Sequence, residues 1–268
     1  MIAFVHIQKT AGQTMRAMLR KNFGWHHCDA LVTEGTRPED WQWIKKCYPS
    51  LISIAGHGVR PASEFAAEFP DARYYTILRK PSSRSLSHYQ YLFERGKQFD
   101  FPTWMRLNQN LMCTVICGEQ NAQRAIDTIE SKGGFVGLQE HFNETLLLWK
   151  QWTGFDHLDL AYRSTNTATS NKLSRQVTSD PQHRELIQEH NQEDQKLYDH
   201  VVQVIYPRQK AAYGETLADD LKQFEQRLKS GSNSSWKSVL GKLKRNLIYR
   251  PGVRNWKADL GDGTIRAT

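Results

Sequence analysis

Short apolar runs alternate with longer amphipathic stretches along most of this chain. Met1 to His6 is apolar and β-rich, the length of a buried strand. Leu51-Ile52-Ser53-Ile54-Ala55 reads as a second strand by its β-branched residues, Arg73 to Leu78 as a third and Phe135 to Leu138 as a fourth. Leu158 to Ala161 is a weaker fifth. Helical periodicity fills the intervals. Met15 to Lys21 reads as helix, Pro38 to Trp43 as a short one, and another begins at Pro81, where a missing N–H costs nothing in a first turn. Leu107 to Ile116 starts a helical region, and Asn121 to Glu130 carries Ala122, Ala125, Ile126 and Ile129 on one stripe. Phe142 to Trp152 turns Leu146, Leu147 and Trp149 inward, and Glu185 to Ile205 reads as one amphipathic helix. Ala211 to Lys229 continues as helix. Trp25 to Asp29 and Phe99 to Trp104 read as polar-aromatic links, with His26 and His27 as loop or surface histidines or, alternatively, lining a substrate cleft. Strand and helix in alternation predict an α/β fold, a mostly parallel central sheet with helices on both faces.

The 268 residues, 39% of them hydrophobic, suffice for one sizeable core. One main domain is expected over 1–230, followed by a basic tail over 231–268 with a short amphipathic helix. No apolar run is long enough to span a bilayer, and the first strand starts at Ile2 without a leader pattern, so a cytoplasmic location is expected. Cys28, Cys47, Cys113 and Cys117 form no Cys-x-x-Cys pair, which leaves buried free thiols as the expectation and no zinc site. The net charge of +8 is localised. Nine Lys or Arg and no acid lie between Gln226 and Ala258, leaving the rest of the chain at about −1. Within that stretch Trp236, Val239, Leu240, Leu243 and Leu247 fall on one helical stripe among lysines. Such a helix can rest on an anionic membrane or acidic partner, or pack on the body with its lysines in water. No base-reading motif accompanies the charge, so nucleic acid is not expected as a partner.

Candidate chemistry starts where the first strand ends. His6-Ile7-Gln8-Lys9-Thr10-Ala11-Gly12-Gln13-Thr14 joins strand to helix through a small-residue turn, an arrangement that aims unpaired backbone N–H groups at an anion. Lys9 adds a point charge, and Thr10 and Thr14 add hydroxyls. The Walker order of Gly-Lys-Ser/Thr is absent, because Lys9 precedes the glycine. This segment resembles instead the 5′-phosphosulfate loop of sulfotransferases that use 3′-phosphoadenosine 5′-phosphosulfate, especially the glycan O-sulfotransferases of the heparan sulfate 2-O and 6-O type. Thr76-Ile77-Leu78-Arg79-Lys80-Pro81-Ser82-Ser83-Arg84-Ser85-Leu86-Ser87-His88-Tyr89 is similar to that family's 3′-phosphate loop. Gly56-His57-Gly58-Val59 resembles its His-Gly-His-Val segment, with Ala55 in place of the first histidine. Phe135-Val136-Gly137-Leu138-Gln139-Glu140 and Asn191…Asp194…Leu197-Tyr198 resemble two later segments, so the likeness runs over about residues 2 to 206.

The resemblance implies a P-loop-NTPase-like sulfotransferase fold and transfer of a sulfuryl group to a hydroxyl, with adenosine 3′,5′-bisphosphate as product and no metal. The acceptor it implies is a saccharide or glycolipid. Lys9, Thr10, Ala11, Gly12, Gln13 and Thr14 would hold the 5′-phosphosulfate, and Arg79 and Ser87 the 3′-phosphate. Lys9 would also stabilise charge on the bridging oxygen, and His57 would serve as general base, with Glu64 and then His88 as substitutes. The polar segment from Tyr162 to Ser174 reads either as a linker or, as the resemblance implies, as a loop that closes over the nucleotide. Two rivals stand beside this reading. A P-loop-like phosphotransferase would need ATP and magnesium. A non-catalytic polyanion- or membrane-binding protein would work through its basic tail.

Overall fold

A computed structural model describes residues 1–31, 37–97, 99–162, 172–229 and 236–253. Five strands form one all-parallel sheet: β1 (Ile2–Val5), β2 (His27–Asp29), β3 (Ser53–Gly56), β4 (Arg73–Leu78) and β5 (Phe135–Leu138), in the order β2-β3-β1-β4-β5. β1 pairs on one side with β3, Val5 opposite Gly56, and on the other with β4, Val5 opposite Thr76. Every residue of β1, β3 and β5 is buried, as expected of a parallel sheet covered on both faces.

Helices provide the cover. In chain order they are α1 (Gly12–Phe23), α2 (Pro38–Cys47), α3 (Glu64–Glu68), α4 (Pro81–Phe93), α5 (Phe101–Leu107), α6 (Leu111–Cys117) and α7 (Ala122–Ser131). There follow α8 (Phe142–Thr153), α9 (Lys172–Ser179), α10 (Pro181–Glu189), α11 (Gln192–His200), α12 (Tyr206–Tyr213), α13 (Leu217–Lys229) and α14 (Trp236–Lys244). From β1 the chain crosses to β2 at one edge and returns to β3; from β4 it leaves for β5 at the other edge. The connections therefore diverge between β1 and β4, the crevice in which open parallel sheets bind ligands at their carboxyl edge.

The α/β expectation holds, and several of its elements need correction. Trp25 to Asp29 was expected as a loop, but His27–Asp29 is an edge strand. His27 is buried rather than on the surface, with Nδ1 3.1 Å from Ser53 Oγ and Nε2 3.2 Å from Asp29 Oδ1. Asp29 in turn binds Arg16 and Arg20 of α1 at 2.7 and 2.6 Å. Burial alone would raise its carboxyl; His27 and the two arginines outweigh that and hold it well below the usual range. Leu158 to Ala161 is not a strand. Leu158 and Leu160 are buried, but the backbone between them pairs with a side chain. The Asn22 amide donates to the Asp159 carbonyl at 3.0 Å and accepts from its N–H at 2.7 Å, standing in for a neighbouring strand.

Two helix boundaries also differ. The link expected over Phe99 to Trp104 contains the start of α5, which Asp100 caps through the N–H of Thr103. The single helix expected over Glu185 to Ile205 breaks at Asn191, whose buried amide accepts from Ser85 Oγ and donates to the Ile187 carbonyl. Three residues on, the Asp194 carboxylate accepts from the N–H groups of Met112 and Cys113 and so caps α6. The four cysteines are buried and free.

Candidate active site

The loop between β1 and α1 is strained in a particular way. Lys9 and Ala11 both occupy the left-handed region, with φ of 68° and 65°, although neither is glycine. Such conformations cost about 1–3 kcal/mol each and concentrate at functional sites. Left-handed residues placed alternately curl successive N–H groups into a concave nest suited to an anion. Thr10, between them, donates its hydroxyl to the Ile7 carbonyl at 3.0 Å and is fully buried, so its side chain closes the loop and its N–H is what it can offer a ligand. Ala11 then starts α1, accepting from Met15 N at 3.1 Å. That helix has no side-chain N-cap and no acid in its first turn to compete with a bound anion. Gln13 is exposed and Thr14 buried within the same turn.

Gly12 is required by a close approach. A Cβ there would lie 1.9 Å from His6 Nε2 and 2.0 Å from His6 Cδ2. The His6 ring, thus pressed against the start of α1, stacks on His57 with centroids 4.3 Å apart and planes 20° from parallel. His57 follows β3 directly, and its Nδ1 lies 2.8 Å from the His6 carbonyl. A carbonyl can only accept, so Nδ1 carries the proton and Nε2 of the neutral ring keeps its lone pair. Burial lowers the affinity of His57 for a second proton, opposed by the bond to His6. His6 is pushed well down, first by burial and then by His57. The two rings therefore meet as neutral bases.

Arg79 leaves β4 on the other side of β1 and donates from Nη1 to the Lys9 carbonyl at 3.2 Å. The two basic loops thus touch. Burial lowers the Lys9 ammonium from its ordinary value, and the neighbouring Arg79 charge lowers it further. Its Nζ rests 4.4 Å from the centre of the Tyr91 ring, and the Arg95 guanidinium lies 4.3 Å from the same ring. Tyr91 belongs to α4, where Arg84, Ser87, His88 and Tyr91 recur at helical spacing on one face. Ser87 is half-buried there. Burial first, and then the charges of Arg84 and Lys9, push His88 down to about 3. Arg84 is completely buried, with Nη2 on Ser85 Oγ and two guanidine nitrogens unpartnered, in the field of the Asp194 carboxylate.

The expected residues Lys9, Thr10, Ala11, Gly12, Gln13, Thr14, His57 and Arg79 therefore lie just beyond the carboxyl ends of three adjacent strands, with Ser87 on the helix that leaves Arg79. Glu64 is exposed at the start of α3. Most of the loop expected over Tyr162 to Ser174 falls outside the described residues. Two neighbours were not foreseen in a role, His6 and Tyr91. The alternation of β1 puts His6 on the same face as Phe4, and the four-residue step from Ser87 to Tyr91 was available in the sequence, but neither predicts a ring under a neighbour's charge. Among the described residues, no group of three or more His, Cys, Asp or Glu is placed to hold a metal ion, and no helix is long and apolar enough to cross a membrane. No protein-family profile and no curated protein matches the chain. Among solved structures it is similar to a sulfotransferase from Alicyclobacillus acidocaldarius, at 12% identity and a TM-score of 0.39, over 70% of this chain and 94% of that one.

Proposed function

We propose that this chain moves a sulfuryl group from 3′-phosphoadenosine 5′-phosphosulfate to a hydroxyl of a carbohydrate acceptor. The observation that carries the reading is the bond from Arg79 to the Lys9 carbonyl, which joins two cationic loops into one site beside an imidazole with a free Nε2. A nucleotide with anionic groups at both its 5′ and 3′ positions asks for this kind of divided grip. The Lys9–Thr14 nest, with the uncapped start of α1, would take the 5′ end, and Arg79 with Ser87 the 3′-phosphate.

Bound there, the donor supplies an activated sulfuryl group whose leaving group is a phosphate. Lys9 would stabilise negative charge growing on the bridging oxygen, leaving its seat on Tyr91 to do so. His57 Nε2 would accept the proton of the acceptor hydroxyl as the new S–O bond forms. The His6 carbonyl, already bonded to Nδ1–H, would hold the ring in the required tautomer and steady the imidazolium that results.

Calorimetric titration tests the reading directly. Adenosine 3′,5′-bisphosphate should bind at least about tenfold more tightly than ATP with magnesium, a difference of about 1.4 kcal/mol assigned to the 3′-phosphate, and Arg79→Ala should abolish that preference. Equal affinity, or a preference for ATP with magnesium, would favour the phosphotransferase reading.

A further inference from the structure

The segment from Trp236 to Val253 packs on the body with an unexpected face inward. Gly241 lies against the backbone of Gly24, where a Cβ would come within 2.8 Å of the carbonyl oxygen. Lys244, only 8% exposed, donates to the Trp25 carbonyl at 3.1 Å, and its Nζ sits 4.4 Å from the Tyr48 ring centre. A π-helical turn over Arg245–Tyr249 lengthens the next inward step to five residues, so that Tyr249 is fully buried, with Val253 following. Four aliphatic side chains are left outside. Val239 is 53% exposed, Leu243 46%, Leu247 71% and Ile248 47%. Trp25, also exposed, stands next to this ridge beneath Lys244.

We infer that this ridge is a docking face for an anionic lipid bilayer. Glycine, lysine and tyrosine anchor the helix, while separate aliphatic side chains project from it with exposed Lys242 and Arg250 alongside. That is the division an interfacial helix needs: apolar groups to enter the acyl boundary, cations for the headgroups, and an indole at the junction. The charge along the segment itself is of one sign, with no acid from residue 226 to 258. A second copy seated on the same face would bring like charges together across the two-fold, which disfavours self-association. The segment runs from Gly24, before β2, to Leu31, after it, so the lipid would lie along the β2 flank of the sheet.

Co-sedimentation of the full chain with vesicles tests this. Binding to phosphatidylcholine vesicles containing phosphatidylserine at about one lipid in three should exceed binding to phosphatidylcholine alone by about tenfold or more. It should weaken as salt rises from about 0.1 M to about 1 M, where the screening length falls to about 3 Å. A Leu243→Glu, Leu247→Glu double variant should lose about tenfold or more of that binding, with circular dichroism and nucleotide affinity unchanged because both positions are exposed. Equal binding of variant and parent to the anionic vesicles would overturn the inference. So would binding of the parent to heparin but not to vesicles, or a dimer in solution that Leu243→Glu dissociates while vesicles are ignored.

Discussion

Gly12 and His6 compete for a volume that only one of them can fill with a side chain. Gly12→Ala must displace the imidazole, and with it the stack on His57, since the added carbon would otherwise sit 1.9 and 2.0 Å from two ring atoms. A catalytic group misplaced by about 1 Å can cost about 10²-fold, so turnover of the Gly12→Ala enzyme should fall by about that factor. The His6→Ala, Gly12→Ala pair removes the clash. It should recover part of the activity lost by Gly12→Ala alone, a result that simple loss of loop geometry would not give. His57→Ala should reduce turnover by about 10²- to 10⁴-fold with affinity for adenosine 3′,5′-bisphosphate intact. The pH profile follows from the same ring. Its neutral form is the base, and burial keeps the ring neutral below its ordinary value near 6.5, so kcat/KM should stay level from neutrality into mild acid and fall only as the pH passes below that value. A profile already falling between pH 8 and 7 would assign the proton to another group.

At the scale of elements, strands built from apolar runs were legible because a short apolar run has few other uses. β1, β3, β4 and β5 all stand where their apolar residues placed them. β2 was hidden because its residues, His27-Cys28-Asp29, are polar at both ends and become strand only through partners distant in sequence: Ser53, Arg16 and Arg20. The α10–α11 break has the same origin. Periodicity registers Leu197 and Val201 as inward, but cannot register that Asn191 and Asp194 are inward too, each satisfied by a group about 80 to 105 residues away in the chain. Asp194 joins three elements: it caps α6 through two N–H groups and faces the buried Arg84 of α4. Asp194→Ala should therefore lower unfolding free energy by about 3 kcal/mol or more, from the lost cap and from a guanidinium left without its counter-charge. Asp194→Asn, which keeps an acceptor but not the charge, should lie between the two in a urea titration. If Asn matches the parent, the carboxylate charge contributes nothing to Arg84 and only the cap matters.

For the whole molecule, the loops carrying the candidate chemistry could be ordered along the sequence, but their meeting could not. Arg79 reaches Lys9 because β1 and β4 are neighbours in register, which follows from the strand order and not from either loop. The helical segment after residue 235 shows the same limit: its stripe of apolar residues is in the sequence, whereas the π-turn that changes its inward face is not. Tyr249 is where that segment joins the core. Its hydroxyl accepts from the Leu31 N–H at 3.0 Å just beyond β2, its carbonyl lies 3.4 Å from Trp43 Nε1, and its ring meets Tyr48 edge to face. Tyr249→Phe keeps the ring and leaves the Leu31 N–H without its acceptor, a loss of about 1–3 kcal/mol. Tyr249→Ala adds a cavity the size of the ring and should cost about 3–5 kcal/mol in all. Both losses belong to the β2 flank, two strands away from the Lys9 loop, so the folded variants should bind adenosine 3′,5′-bisphosphate as the parent does. Urea midpoints should therefore fall in the order parent, Phe, Ala while calorimetric affinities stay level. A parallel fall in affinity would mean that the helix holds the β1–α1 loop in place as well as the edge of the sheet.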